Sequence, residues 1–337
     1  MNTIKEIARL AGVSPATVSR VLNEKPDVNK ETRSTVLKII EEMRYTPNAN
    51  AKNLKTIATN FICVIVKGIG NLFLLGIMES MQALVEKEGY VPYIHYIDEA
   101  DDEVMAAKQL VVEKKPKGFL FLGGSVVSRR EELKMLRSPA VFAAADAREA
   151  RLSNVASVSV DDRKSAKMAV DELLARGHRE IAVLGGSLLA PDLVGSRYQG
   201  VLDSFAEKGL SFPQNHYFES KFSLGSAYRA TTRMLDSGIP VTALFCMSDI
   251  MAIGAAKAIH DRGLAVPGDI SVIGFDGLEF SRFYTPSLAT VRQPVQEIAE
   301  KSVEILSRLI KGESAQHVTV QSELLLGQSI ATRYPSE

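Results

Sequence analysis

The chain has 337 residues, 46% of them hydrophobic and 24% charged, and its 40 Lys and Arg are balanced by 40 Asp and Glu. That length supports two or three compact units, and nothing in the composition is fibrous or membrane-like. The longest apolar runs, such as 61–66, are strand-sized and well short of the roughly 20 residues of a membrane span, and no signal peptide precedes Ile4; the expected location is the cytoplasm, with no membrane partner.

Thr3 and Glu6 have the spacing of a capping box, which starts a helix at Ile4 with its free N–H groups satisfied. Ile4, Ile7, Ala8 and Ala11 recur at helical spacing and form one apolar face. Gly12 follows where a left-handed C′ residue would end the helix. Ser14 is a good N-cap and Pro15 a good first helical residue, so a second helix begins almost at once, with Val18, Val21 and Leu22 on its inner side. Pro15, Ala16, Thr17 and Arg20 are left outside, on the part of the second helix that enters the major groove in a helix-turn-helix. Asn29 is placed to cap a third helix running through Arg44, with Val36, Ile39, Ile40 and Met43 closing a small three-helix core. Spacing alone also permits an αα-hairpin with no DNA role. Charge favours DNA: residues 1–56 hold ten Lys or Arg against six acids, so the segment is near +4 and the remainder of this neutral chain near −4.

Residues 48–56 are too few for a stable isolated helix, and Asn48, Asn50 and Asn53 are poor helix formers. Taken alone the segment is a linker with one exposed leucine. From residue 60 onward short β-rich runs alternate with helix-length amphipathic segments, the pattern of a parallel sheet wrapped by helices. Strands are expected at Phe61–Val66, Val91–Ile97, Gly118–Leu122 and Ala140–Ala144, with helices around Leu72–Glu88 and Asp102–Lys114. A second series has strands at Ile181–Leu184, Ala243–Met247 and Ile270–Phe275, and helices at Arg163–Arg176, Gly195–Lys208, Leu224–Ser237 and Ile250–Arg262. Two such series predict two similar lobes. Open α/β sheets bind ligands at the carboxyl ends of their strands, so two facing lobes create a cleft there.

Ile4-Lys-Glu-Ile-Ala, Ala11-Gly-Val-Ser, Thr17-Val-Ser-Arg-Val-Leu-Asn23, Val28, Thr32-Arg33 and Tyr45-Thr-Pro-Asn48 together resemble the headpiece of the LacI/GalR family of bacterial repressors, and the rest of the chain fits that family from end to end. The resemblance implies an N-terminal all-α helix-turn-helix headpiece (1–47) plus hinge helix and linker (48–59), then an α/β periplasmic-binding-protein-like body of two doubly wound lobes (60–337). Lobe 1 would hold about 60–160 plus 293–320, and lobe 2 about 161–292 plus 321–334. It also implies that the hinge becomes helical only when two subunits sit on an operator, with Leu54 wedged into the central minor-groove step and Ala51 and Lys55 beside it. Such a wedge costs a few kcal/mol of unstacking and returns a bent duplex that touches more protein.

The candidate pocket residues come mostly from loops that follow strands. Asn71-Leu-Phe73 follows the first one, where the family has an Asn-Pro-Phe-like turn; Leu72 replaces the proline, and Phe73 is a candidate to stack on a flat ligand face. Gly195-Ser-Arg197-Tyr-Gln-Gly200 resembles the family's G-x-R-x-x-G, whose Arg points into the cleft and offers a planar fork to two ligand oxygens. Ser248-Asp249 and Gly274-Phe-Asp276 each put a carboxylate directly after a strand, Phe222 stands where the family often has a second aromatic, and Asp146 is a candidate from the first lobe. Chemistry alone also allows Arg197 to pair with either Asp, and both Phe side chains to be core. An Arg, two carboxylates and aromatic faces suit a polyol, so a sugar is the first choice of effector. A nucleoside is disfavoured by Pro191 and Leu193, which stand where purine-sensing relatives need polar donors, and a phosphorylated sugar wants more cation than Arg197 alone.

An enzyme finds little support. Gly68-Ile-Gly70 lacks the third glycine of G-x-G-x-x-G, Gly123-Gly124 and Gly185-Gly186 have no P-loop continuation, and no G-x-S-x-G occurs. Cys63 and Cys246 sit in apolar strand-like runs and read as buried thiols, and the five His residues are scattered, so neither a metal nor a cofactor is expected. The reading is a non-enzymatic repressor of carbohydrate-utilisation genes. A homodimer would bind a palindromic operator in double-stranded DNA through Pro15, Ala16 and Arg20, with Thr17 and Ser19 on phosphates, switched by a sugar in the cleft. A regulator answering to a nucleoside, a phosphorylated sugar or a protein corepressor is the alternative, and a nucleotide-dependent α/β enzyme a remote one. No C-terminal heptad helix follows Leu326, so dimers rather than tetramers are expected.

Overall fold

Gly12 and Ser14 determine how the chain turns in the N-terminal unit, residues 1–58. Helix α1 (Ile4–Leu10) ends in a Schellman turn: Gly12 adopts φ 65, its N–H reaches the Arg9 carbonyl, and the Val13 N–H reaches the Ala8 carbonyl at 2.9 Å. Helix α2 (Pro15–Leu22) starts under the Ser14 hydroxyl, which accepts the Thr17 N–H at 3.1 Å. Helix α3 (Lys30–Glu42) is capped by Asn29, whose side chain accepts the Thr32 N–H at 2.8 Å, and has Met43 as its C-cap. Ile7, Ala8, Val18, Val21 and Val36 form the buried centre, with Leu22, Ile39, Ile40 and Met43 packed around it. The computed structural model describes residues 4–22, 28–43, 60–68, 70–98, 101–124, 126, 129–189 and 193–333. The expected capping box at Thr3, the hinge with Ala51, Leu54 and Lys55, Pro191, and the side chains of Ile4 and Ser19 lie outside the described residues.

Among its described residues, the second unit, 59–337, contains two six-stranded sheets. The first half of its chain runs β1 (Phe61–Lys67), α4 (Leu72–Lys87), β2 (Val91–Ile97), α5 (Glu103–Glu113), β3 (Gly118–Leu122), α6 (Arg130–Met135), β4 (Ala140–Ala143) and β5 (Val155–Val160). There follow α7 (Asp162–Ala175), β6 (Ile181–Gly185), α8 (Leu193–Glu207), β7 (Tyr217–Glu219), α9 (Leu224–Asp236), β8 (Ala243–Cys246), α10 (Asp249–Asp261), β9 (Ser271–Asp276) and β10 (Ala289–Arg292). The last elements are α11 (Val295–Ile310), β11 (His317–Val320) and β12 (Glu323–Leu325).

Lobe 1 has the strand order β2-β1-β3-β4-β5-β11, all parallel. Lobe 2 has β7-β6-β8-β9-β10-β12, parallel except for the antiparallel β12. The chain crosses between the lobes after β5, after β10 and after β11. Both faces of each sheet are covered, which explains the continuous apolar runs. In β1, Ile62, Val64 and Val66 pack with Ile77 and Met81 of α4 and Leu306 of α11, whereas Cys63 and Ile65 pack on the other side with Val104 and Leu110 of α5. There Phe121 and Phe142 stack with ring centroids 4.6 Å apart.

Some boundaries differ from expectation for local reasons. Strand β4 ends at Ala143 because Ala144 turns to φ 61, outside extended conformation. Strand β5 is not anticipated at all: it reads Val-Ala-Ser-Val-Ser-Val, and its Ser157 and Ser159 are buried inside the sheet, so the apolar run is broken although the strand is fully enclosed. Among the described residues, no helix is long and apolar enough to cross a membrane.

Candidate functional site

On α2 the side chains of Pro15, Ala16 and Arg20 are exposed and Thr17 is half-buried. The Thr17 hydroxyl sits 2.9 Å from that of Ser14, so Thr17 belongs in part to the helix cap. The outward row of this helix therefore offers two small apolar groups and one guanidinium.

In the second unit the carboxyl ends of both sheets border a cavity of about 530 Å³, within the range of small-molecule sites. Lobe 1 supplies Lys67 and Gly68 at the end of β1, Asn71, Phe73 and Leu74 at the start of α4, Asp98 after β2, and Gly123 and Gly124 after β3. Lobe 2 supplies Leu193, Val194 and Arg197 of α8, Phe222 and Ser223 after β7, and Asp276 at the end of β9. Asn71 is the N-cap of α4, and its Oδ1 accepts the N–H groups of Phe73 and Leu74.

Arg197 is positioned by a close helix crossing. A Cβ on Gly200 would lie 2.1 Å from the Arg163 carbonyl oxygen, so glycine is what lets α8 lie this near α7. One turn earlier on α8, Arg197 Nε donates to Asp162 Oδ1 at 2.7 Å and Nη1 donates to the Met247 carbonyl at 2.6 Å. Its Cζ lies 3.6 Å from the centroid of the Phe275 ring, a cation–π contact that holds the guanidinium plane. Both members of the Arg197–Asp162 pair are buried. Burial pushes the Asp162 carboxyl up, and the Arg197 guanidinium pulls it part of the way back.

Asp276 closes β9 with φ 116, a region that L residues rarely adopt and that costs about 1–3 kcal/mol. Its Oδ1 accepts Gln293 Nε2 at 3.0 Å, and its carbonyl accepts the Gln293 N–H at 3.1 Å. Gln293 lies on the crossing from β10 to α11, so Asp276 joins the cleft wall to a connection between the lobes. Burial pushes the Asp276 carboxyl well above the usual carboxylate range, against the pull of Arg197. A carboxyl held toward its protonated form both donates and accepts hydrogen bonds.

Phe73, Arg197, Phe222 and Asp276 thus line a common cavity; Asp249 and Asp146 do not. Asp249 is fully buried, and its carboxylate accepts the Leu278 N–H at 2.7 Å, the Ser281 hydroxyl at 2.9 Å and the Thr290 hydroxyl at 2.6 Å. It braces the segment between β9 and β10, and burial pushes its carboxyl up to about 6. Asp146 turns to Arg148, accepting its backbone N–H at 2.9 Å and its Nε at 3.1 Å, and Arg148 continues to the Thr319 hydroxyl on the edge strand β11. A carboxylate after a strand serves equally well to brace the next loop, and spacing does not separate the two uses.

Sequence reasoning missed Asp162, Gln293, Lys67 and Asp98. Asp162 obeys the same carboxylate-after-strand rule, but the unread β5 hid it. Lys67 is the last residue of β1, and its Nζ lies 2.8 Å from Glu103 Oε2. Cys63 and Cys246 are free, buried thiols, and burial pushes the Cys63 thiol up to about 12.

The profile of the bacterial regulatory proteins, lacI family, matches residues 3–48, and that of the periplasmic binding protein-like domain matches residues 170–330. The chain is 37% identical over 331 residues to the HTH-type transcriptional regulator MalR of Clostridium butyricum, covering 96% of this chain and 97% of that protein. It is 32% identical to the catabolite control protein A of Priestia megaterium, covering 95% and 96% of the two chains. Among solved structures, the lac repressor dimer bound to operator and the anti-inducer ONPF superposes with a TM-score of 0.74 at 26% identity, over 98% of this chain and 99% of that one. The complex of the transcriptional regulator CelR with cellobiose shares the fold, with a TM-score of 0.72 at 22% identity over 98% and 100% of the two chains.

Proposed function

Because the chain belongs to the LacI family of bacterial regulatory proteins and is a DNA-binding transcriptional repressor of that kind, we propose that a small sugar in the cleft of its body controls how tightly a homodimer holds a palindromic operator. The observation that carries this reading is the cavity itself. Arg197 and Asp276 border it from lobe 2, Lys67 and Asp98 border it from lobe 1, and Phe222 and the largely buried Phe73 add apolar lining. Sugar hydroxyls donate and accept at once, so mixed cation and carboxyl groups beside aromatic faces suit them.

In this reading residues 1–47 are the headpiece, 48–59 the hinge and 60–337 the effector-binding and dimerising body. Arg20 reads a guanine edge, Pro15 and Ala16 make apolar or shape contacts, and Thr17 and Ser19 support them on phosphates. Leu54 enters the minor groove as a wedge, flanked by Ala51 and Lys55. Effector binding favours one angle between the lobes, which sets the separation of the two hinges and hence their ability to form helices on DNA. The ligand acts only through its differential affinity for the two states, typically about 1–3 kcal/mol. The genes under control are those of carbohydrate utilisation.

For the dimer, a wide groove of about 1180 Å³ that adjoins the cleft at Phe73 and Asp276 is bordered by Leu72, Phe283 and Leu326, all exposed, with Phe283 at 73%. Exposed apolar side chains grouped in this way suit a second copy of the chain.

The test is a gel shift with palindromic duplexes, repeated with monosaccharides and disaccharides, alongside a thermal-shift screen of the same sugars. Retardation of one duplex that changes with one sugar is the expected result. Retardation of a duplex with no response to any sugar that shifts the melting temperature would overturn the proposed switch.

A further inference from the structure

The lobe 1 wall of the cleft holds an ion pair between Lys67 and Glu103. Lys67 sends its ammonium to Glu103, the first residue of α5; the Lys67 side chain is 21% exposed and the Glu103 side chain 1%. Helix α5 does not need Glu103 as a cap, because Asp102 already accepts the N–H groups of Val104 and Met105. The space for Glu103 is kept open from a third segment: a Cβ on Gly124, after β3, would lie 2.4 Å from Glu103 Oε1. The end of β1, the start of α5 and the loop after β3 therefore converge on the Lys67–Glu103 pair, and Lys67 lines the cavity.

A carboxylate buried to this extent gives up its hydration, a cost that a lysine needed only for solubility would not require. An ammonium has three N–H donors, and Glu103 takes one of them. Lobe 2 repeats the arrangement, with Arg197 backed by the buried Asp162. Each wall thus presents N–H donors whose charge is balanced from behind by a buried carboxylate, and Asp98 adds a further carboxylate on the lobe 1 side. Donors without net positive charge suit a ligand rich in neutral oxygens.

Resting on the sugar-site reading above, we propose that Lys67, held by Glu103, contacts the ligand from lobe 1 while Arg197 contacts it from lobe 2, and that the two backing carboxylates confine the ligand to uncharged polyols. Lys67 is then a specificity-determining residue, and Glu103 a positioning residue that also sets the charge of the site.

The test is isothermal titration of the full-length protein with neutral monosaccharides and disaccharides, hexuronates and hexose phosphates. A neutral sugar is expected to bind the wild type about tenfold or more tightly than its uronate or phosphate counterpart. Lys67→Met/Glu103→Gln, which removes the donor without stranding a buried carboxylate, should weaken that sugar about tenfold or more while the melting temperature stays close to that of the wild type. Glu103→Gln alone leaves the ammonium uncompensated and should move the preference toward the anionic counterpart by about tenfold, a change that lost packing would not produce. Absence of any binding to the wild type overturns the sugar reading and this inference with it. Sugar binding to the wild type overturns this inference alone if the double variant keeps its affinity within about twofold, if the anionic counterpart binds the wild type better, or if Glu103→Gln leaves the preference unchanged.

Discussion

Replacing Arg197 separates what this residue does for the fold from what it does for the ligand. In Arg197→Ala, Asp162 loses a partner at 2.7 Å, the Met247 carbonyl loses a donor at 2.6 Å and the Phe275 ring loses the cation above it. Removing one partner of a buried pair costs about 3–5 kcal/mol, because the other charge is left uncompensated. At roughly 2 °C per kcal/mol for a unit of this size, the body should melt roughly 6–10 °C lower. Arg197→Met/Asp162→Asn removes both charges and keeps most of the volume, so it should recover at least half of that loss. Effector response should be lost in both variants, since neither presents a guanidinium to the cavity. Thermal melts followed by circular dichroism, with sugar titrations of operator binding below the melting range, read the two effects separately. An Arg197→Ala melt within about 2 °C of the wild type would refute the energetic argument, and an effector response restored in the double variant would refute the ligand role.

Asp249 gives a pH signature. Its folded-state value of about 6 lies above the ordinary 3.8, so its contribution to stability is full below about pH 4 and is lost as pH rises through about 6. Asp249→Asn lacks that term, so in urea unfolding the stability gap between wild type and variant should widen as pH is lowered from 7 to 4.5; a constant gap contradicts the assignment. Leu54→Ala should weaken operator binding about tenfold or more and reduce DNA bending in a circular-permutation gel assay, and unchanged binding would remove the wedge. Phe283→Asp should shift the protein from dimer to monomer in sedimentation at micromolar concentration, and an unaltered dimer would place the interface elsewhere.

The legible parts of this protein are those in which one local rule acts without competition. Gly12, Ser14, Pro15 and Asn29 are punctuation, and α2 and α3 begin where those residues place them. In the body, strands made of unbroken apolar residues, such as β1 and β3, stand out, whereas β5 carries two buried serines and does not. With β5 unmarked, nothing local in the sequence singles out Asp162, the carboxylate at the start of α7 that partners Arg197. Asp249 illustrates the opposite difficulty. It has the right residue type at the right strand end, but its orientation depends on the hydroxyls of Ser281 and Thr290, which lie 32 and 41 residues away. Lys67 and Glu103, 36 residues apart, meet only because β1, β3 and α5 converge, and no local pattern announces such a pair.

The central claim is that occupancy of the cleft changes affinity for DNA. The direct measurement is operator affinity of the full-length protein by fluorescence anisotropy, without and with a saturating sugar identified by titration. The account predicts a change of roughly 5–150-fold, in either direction, with the reciprocal change in sugar affinity when operator is bound. A sugar that binds the cleft and leaves operator affinity unchanged would contradict it.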